Sequence, residues 1–376
     1  MDELFASIPE DSRSAGLDLP EGLSEQAVRS RLAEVAGKNH IDLTLFLGGG
    51  FYDHFIPAAV SALASRGEFY TAYTPYQPEV SQGTLQAIYE YQSMICRLTG
   101  LDVSNASLYD GGTAIYEAMM MAMNATRRSK VIVDDSVNPI YRVMLESYTR
   151  NLNIELVTCR NADGHANRDA ILEELDDSTA AVIVQNPNFF GCIEDFTELA
   201  DTAHQAKALL IVSCYPLSLG ILKAPGAMGA DIAVGEGQSL GLPMSFGGPY
   251  LGFMAAREKL VRKMPGRIVG ETEDADGRRG FVLTLQAREQ HIKRDRATSN
   301  ICSNEALCAL RATLYLSLLG KEGLRQTAQL CADKASYAYK RLTAIPGVEP
   351  HFHAKWFFNE FVLRLPRDAS DVIGKL

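Results

Sequence analysis

The 376-residue chain reads as an α/β protein, a mostly parallel sheet with helices on both faces and a smaller α+β region at its C-terminal end. Two patterns predict this. Between residues 131 and 256, short β-branched apolar runs alternate with stretches of helical spacing. The runs are apolar throughout rather than every second residue, as strands covered on both faces are. The composition agrees: 47% hydrophobic and 22% charged is the balance of a globular chain with a large core and room for more than one domain.

Residues 1–40 are polar and helical in pattern. Ser24-Glu25-Gln26-Ala27 opens a periodic run through Val28, Leu32 and Val35, with Ser24 as the cap and Gly37 as the stop. Residues 46–55 (FLGGGFYDHF) set a glycine triplet among aromatics that must pack somewhere. A short helix follows Pro57. Residues 69–78 (FYTAYTPYQP) read as an extended arm, because Pro75 and Pro78 disfavour helix just before them. Its tyrosines, Tyr70, Tyr73 and Tyr76, suit a segment lying across another surface.

Residues 82–98 form a long helix on Leu85, Ile88, Tyr89, Gln92, Ile95 and Cys96. Asp110-Gly111-Gly112-Thr113-Ala114 then leads into a helix over 115–127. This start is either a phosphate cradle, since N–H groups at a helix N-terminus favour anions, or a plain turn with Thr113 as cap. Strands follow at 131–133, 154–158, 181–184, 209–213, 231–234 and 251–256, with helices at 168–175 and 196–206. Ligands of such sheets sit beyond the carboxyl ends of the strands.

The glycine-dense run 235–252 (GEGQSLGLPMSFGGPYLG) reads as a surface turn. It is either a mobile loop or a place where the backbone approaches a ligand or another chain. Residues 267–280 read as a polar loop carrying Glu271, Glu273 and Asp274. Helices at 304–319 and 324–345 are separated by Gly320 and stopped by Pro346-Gly347. A last strand, 361–365, precedes only Asp371-Val372-Ile373, so it reads as an exposed edge of an incomplete subdomain. The expected division is an N-terminal helical arm (1–75), a large domain (76–290) and a small C-terminal subdomain (291–376).

A net charge of −10 argues against a nucleic-acid surface, and the basic residues Arg288, Lys293, Arg294 and Arg296 read as a solvated helix face. The seven cysteines are odd in number and irregularly spaced, with no C-x-x-C, which fits a reduced, cytoplasmic protein without a zinc site. The acidic start lacks a signal-peptide pattern, and no apolar run is long enough to span a membrane. His351 and His353 read as a stacked pair on a strand beside Trp356 rather than metal ligands. His54, after Asp53, reads as a structural hydrogen-bonding residue. H-E-x-x-H is absent.

Several stretches together resemble the glycine decarboxylase, or P-protein, family of the glycine cleavage system, and within it the alpha (subunit 1) branch that matches the N-terminal half of the single-chain enzyme. They are 46–57 (FLGGGFYDHFIP), 70–83 (YTAYTPYQPEVSQG), 106–114 (ASLYDGGTA), 266–280 and 281–302 (FVLTLQAREQHIKRDRATSNIC). The resemblance implies a type I pyridoxal-phosphate (PLP) transferase fold. It also implies an α2β2 assembly with a beta chain (subunit 2) that decarboxylates glycine and passes the aminomethyl group to the lipoyl arm of the H-protein.

Setting the family's glycine-rich loop on this one puts Gln238 where the beta-type half carries its Schiff-base lysine, and no lysine stands between Lys223 and Lys259. An amide cannot form an imine. The fold also needs an acid near the end of the preceding strand to pair with the pyridine nitrogen. None lies between Asp201 and Asp231, and Tyr215 falls about there. The resemblance thus implies a chain with no catalytic residue and no cofactor of its own, PLP residing in the beta subunit and Gly111, Gly112 and Thr113 forming a vestigial phosphate turn. Tyr70, Tyr73 and Tyr76, with Tyr52 and His54, either reach over the partner's cofactor or bury interface area. The rival readings are a self-sufficient PLP decarboxylase or aminotransferase, which lacks its lysine, and a non-enzymatic scaffold.

Overall fold

The structure, a computed structural model, describes residues 2–14, 16–40 and 42–374. The strands of the main sheet are β1 (Val103–Ser104), β2 (Lys130–Asp134), β3 (Glu155–Cys159), β4 (Thr179–Asn186), β5 (Leu209–Cys214), β6 (Ile232–Glu236) and β7 (Gly252–Ala256). Their order is β1-β7-β6-β5-β4-β2-β3. The pairs among β2 to β6 are parallel, whereas β7 runs antiparallel to both β6 and β1. Alternate residues of each strand feed two separate cores. Val182, Val184, Leu210 and Val212 pack on one face, and Ala181, Ile183, Leu209 and Ile211 on the other. That two-sided burial is why the strands carry no polar alternation.

The chain divides into two compact units after Phe46. In the first, helix α1 (Glu25–Ala36) starts where expected, Ser24 accepting the Ala27 N–H at 3.3 Å. In the second, α2 (Ala58–Ala64) follows Pro57, and α3 (Gln82–Thr99) buries Leu85, Ile88, Tyr91, Gln92 and Ile95. Then come α4 (Gly111–Thr126), α5 (Pro139–Thr149), α6 (Arg168–Glu174), α7 (Thr197–Gln205) and the long α8 (Ala306–Thr343), broken at Gly320 where φ is 58°.

Several expectations are corrected. Helix α5 went unread, although Asn138 accepting the Ile140 N–H and Pro139 in the first turn are its start signals. Residues 267–280 are largely a hairpin, β8 (Ile268–Glu273) and β9 (Arg279–Thr284), rather than a loop. Its buried Ile268 and Val269 hold it to the body, and an Arg279–Glu271 ion pair at 2.7 Å links its exposed rungs. The arm begins with a helical turn, Gly67–Tyr70, so only the residues after it are irregular. The last strand shrinks to β11 (Leu363–Arg364), paired antiparallel with β10 (Glu349–Pro350) in a two-stranded ribbon of which each strand is an edge. His351 and His353 lie off any strand: His351 packs on Phe352, and His353 sits 3.5 Å from Asp163. Arg288 is no solvated helix residue; it donates to the carbonyls of Met264, Gly266 (3.0 Å) and Leu285 (3.1 Å). Of the glycine run, residues 235–242 are buried, and only the stretch from Pro243 reaches the surface. Gly235 has no room for a Cβ, which would meet the Cys214 carbonyl at 2.2 Å.

Candidate functional site: a crevice at the carboxyl edge

The carboxyl ends of β4, β5 and β6 open onto a crevice bounded by the glycine loop 48–52, the start of α5 and residues 359–360. Gln238 sits just past β6 and is 1% exposed. Its amide makes a two-point bond to the backbone of Tyr52, which donates to Oε1 at 3.0 Å and accepts from Nε2 at 3.1 Å. Nε2 also donates to the Leu242 carbonyl at 2.8 Å. A lysine amine has no acceptor and could not copy this pairing.

Glu236, absent from the sequence reading, occupies the place expected of an anion. Its carboxylate accepts from the Gly111 N–H at the start of α4 (3.0 Å), and from the Leu251 and Gln238 N–H groups (2.9 Å each). Its signal in the sequence was an acid among glycines at a strand end. Burial pushes its carboxyl up to about 7, against the three N–H donors that favour the charge. The helix start is crowded besides. A Cβ on Gly111 would meet the Tyr141 hydroxyl at 2.4 Å, and one on Gly112 the Met144 sulfur at 2.3 Å. Asp110, not Thr113, is the cap, accepting the Thr113 N–H at 2.7 Å.

Tyr52 and His54 both turn inward, at variance with their expected place beside the arm. The Tyr52 hydroxyl donates to Glu360 at 2.5 Å, and the same carboxylate accepts the Gly49 N–H at 2.8 Å. Burial, then the Glu360 charge, raises the phenol far above its ordinary value. His54 Nε2 meets the Tyr215 hydroxyl, and burial lowers the imidazole to about 4. Tyr215 therefore lines the crevice, its ring 4.6 Å from that of Tyr52. Asn138 ties the glycine loop down from the other side, Nδ2 donating to the Gly49 carbonyl at 2.8 Å. The cavity that remains is about 30 Å³, room for about two waters.

The arm is the opposite case. Tyr70, Tyr73 and Tyr76 are 67%, 80% and 49% exposed. The structure thus places Tyr52 in the crevice, sets Gln238, Gly111 and His54 behind it against the lining residues Tyr52, Glu236 and Tyr215, and leaves the three arm tyrosines outside it. Among the described residues there is no group of three or more His, Cys, Asp or Glu that could hold a metal ion.

The sheet and this carboxyl-edge crevice define a PLP-dependent transferase fold. A solved glutamate decarboxylase of Lactobacillus brevis superposes with a TM-score of 0.64 over 97% of this chain and 83% of that one, at 14% identity, which speaks for the fold alone. A crystal structure of glycine decarboxylase (P-protein) of the glycine cleavage system, in inhibitor-bound form, superposes with a TM-score of 0.94 at 50% identity, over 99% of this chain and 84% of that one. The probable glycine dehydrogenase (decarboxylating) subunit 1 of Oleidesulfovibrio alaskensis is 59% identical over 376 residues, which is 100% of this chain and 85% of that protein. The profile of the glycine cleavage system P-protein family matches residues 1–375. The chain belongs to the glycine cleavage system P-protein family.

Proposed function

We propose that this chain acts as subunit 1 of glycine dehydrogenase (decarboxylating) of the glycine cleavage system, and that it is the half that holds no cofactor. It pairs with a lysine-bearing subunit 2 as α2β2 in the cytoplasm. The assembly decarboxylates glycine with PLP and hands the aminomethyl group to the lipoyl arm of the H-protein. The observation that carries the reading is Gln238: a side chain without an amine stands at the lysine position, and its amide is fully engaged by Tyr52 and Leu242.

The residues present do not fit PLP. The helix N–H that would receive a phosphate is taken by Glu236, no carboxylate stands at the end of β5 for the pyridine nitrogen, and Tyr52, Tyr141 and Tyr215 narrow the crevice between them. This chain instead supports the partner's site with its exposed arm. The free state of all seven cysteines is consistent with a reducing compartment.

The test is direct. The purified chain alone is expected to lack the visible absorbance of a pyridoxal Schiff base and to exchange no label between glycine and CO2; adding subunit 2 is expected to restore exchange to a level that subunit 2 alone does not reach. A stoichiometric reduced pyridoxyl adduct on this chain after borohydride treatment would overturn the reading.

A further inference from the structure

Three features single out Arg267. It is buried, 3% exposed, yet the only hydrogen bond its guanidinium donates among the described residues goes to an arm residue, the Tyr76 hydroxyl, at 3.0 Å. Its Nε and Nη1 have no partner, and its counterion Glu289, equally buried, stands off at 3.9 Å with Oε1 unpartnered. Burying a guanidinium so loosely paired costs stability. Arg288, which reaches the carbonyl of the neighbouring Gly266, shows the structural alternative, with its donors spent on three backbone carbonyls.

The second feature is the aim of Tyr76. Its ring is fixed by the guanidinium, 5.5 Å from the ring centre, and by the edge of His291 at 5.8 Å. The adjoining turn is pinned by Gln82, whose amide exchanges hydrogen bonds with the backbone of Phe281 at 2.9 Å each way. Pro75 before it is buried. Tyr70 and Tyr73 have no such anchor and are more exposed. The third feature is polarity. The Tyr76 oxygen accepts from Arg267 and its own O–H donates to no partner among the described residues, so it is left for an acceptor outside them; donation from a cation strengthens it as a donor.

We infer that Arg267 is a positioning residue that holds Tyr76 so that its hydroxyl donates a hydrogen bond to an anionic oxygen at the active site of the partner subunit. The inference rests on the reading that this chain completes a site in subunit 2. The anionic oxygen belongs either to the carboxylate of glycine or to the phosphate of the partner's cofactor, and kinetics separates the two.

The experiment uses the reconstituted complex carrying Tyr76→Phe, Arg267→Met or both, with assembly checked by gel filtration. Tyr76→Phe is expected to lower kcat/KM for glycine–CO2 exchange by about tenfold, the loss of one hydrogen bond to a charged group, while leaving assembly intact. Arg267→Met is expected to do the same, and the double variant to be no worse than the more damaged single one, since both changes remove one interaction. A raised KM for glycine assigns the oxygen to the carboxylate; weaker retention of PLP assigns it to the phosphate. Exchange at the wild-type rate in Tyr76→Phe overturns the inference, as does multiplication of the two single effects in the double variant. Because Tyr76 lies on the exposed arm, its variant decides the matter even if Arg267→Met fails to fold. If wild-type chain leaves subunit 2 no more active, the functional reading itself falls; if it activates and Tyr76→Phe matches it, only this inference falls.

Discussion

Two segments of this chain, 48–55 and 69–78, are both rich in aromatics and opposite in fate. In the first, Tyr52 and His54 point into the protein and end on Glu360 and Tyr215. In the second, Tyr70 and Tyr73 stand in solvent, and only Tyr76 is tied to the body. The difference lies in what each segment is offered. The first lies against a crevice whose walls present an amide, a carboxylate and a phenol, so its polar tips find partners while their rings are buried. The second, stiffened by prolines, has open surface beside it. One segment lines a crevice and the other stands on the surface.

The comparison can be broken hardest at Gly191. Its φ is +87°, and a Cβ there would meet the Glu360 carbonyl at 1.9 Å. Gly191→Ala is expected to cost about 3–5 kcal/mol in urea unfolding, because backbone must move and the strand of contacts through Glu360 to Tyr52 goes with it. Stability close to wild type would show that residues 359–360 do not clasp the glycine loop.

Glu236 offers a pH-dependent test. Its carboxyl is raised to about 7 in the fold, so the native state binds the proton more tightly than the unfolded chain. Its contribution is therefore most favourable below the ordinary carboxyl range and is lost as pH rises toward 7. Glu236→Gln should cost about 1–3 kcal/mol by leaving N–H groups unsatisfied, most at about pH 5 and less at about pH 8. Comparing the two proteins across pH cancels His54, whose lowered value acts in the opposite sense: it opposes folding as pH falls toward about 4. Glu117, also raised by burial to about 7, cancels in the same way. A cost independent of pH would mean that Glu236 is not desolvated in the fold.

The smallest effects sharpen the contrast between the two segments. Tyr52→Phe removes a hydrogen bond to a carboxylate in a half-buried place and should cost about 1–2 kcal/mol. Tyr73→Phe should stay within about 0.5 kcal/mol of wild type, as exposed changes do. Equal costs from denaturation curves would erase the distinction drawn here.

Much of this was legible in the residues. Each parallel strand of the sheet was found from its β-branched apolar residues, and the absence of a lysine between Lys223 and Lys259 and of an acid between Asp201 and Asp231 is read directly from the residues. What was misread shares a cause. The hairpin at 268–284 looked like a loop because its outer rungs are charged and solvated, while Ile268, Val269, Phe281 and Leu283 mark its buried end. Tyr52 and His54 were grouped with the arm because nothing local says which way an aromatic turns.

The parallel strands and the absence of a lysine between Lys223 and Lys259 follow from the chain's own spelling, since local periodicity and residue chemistry are properties of neighbours. The narrowing of the crevice does not. Glu236 reaches Gly111, Gln238 reaches Tyr52 and Glu360 reaches Gly49 across 125, 186 and 311 residues. Such partners are chosen only when the fold brings distant segments together and every buried polar group must find one.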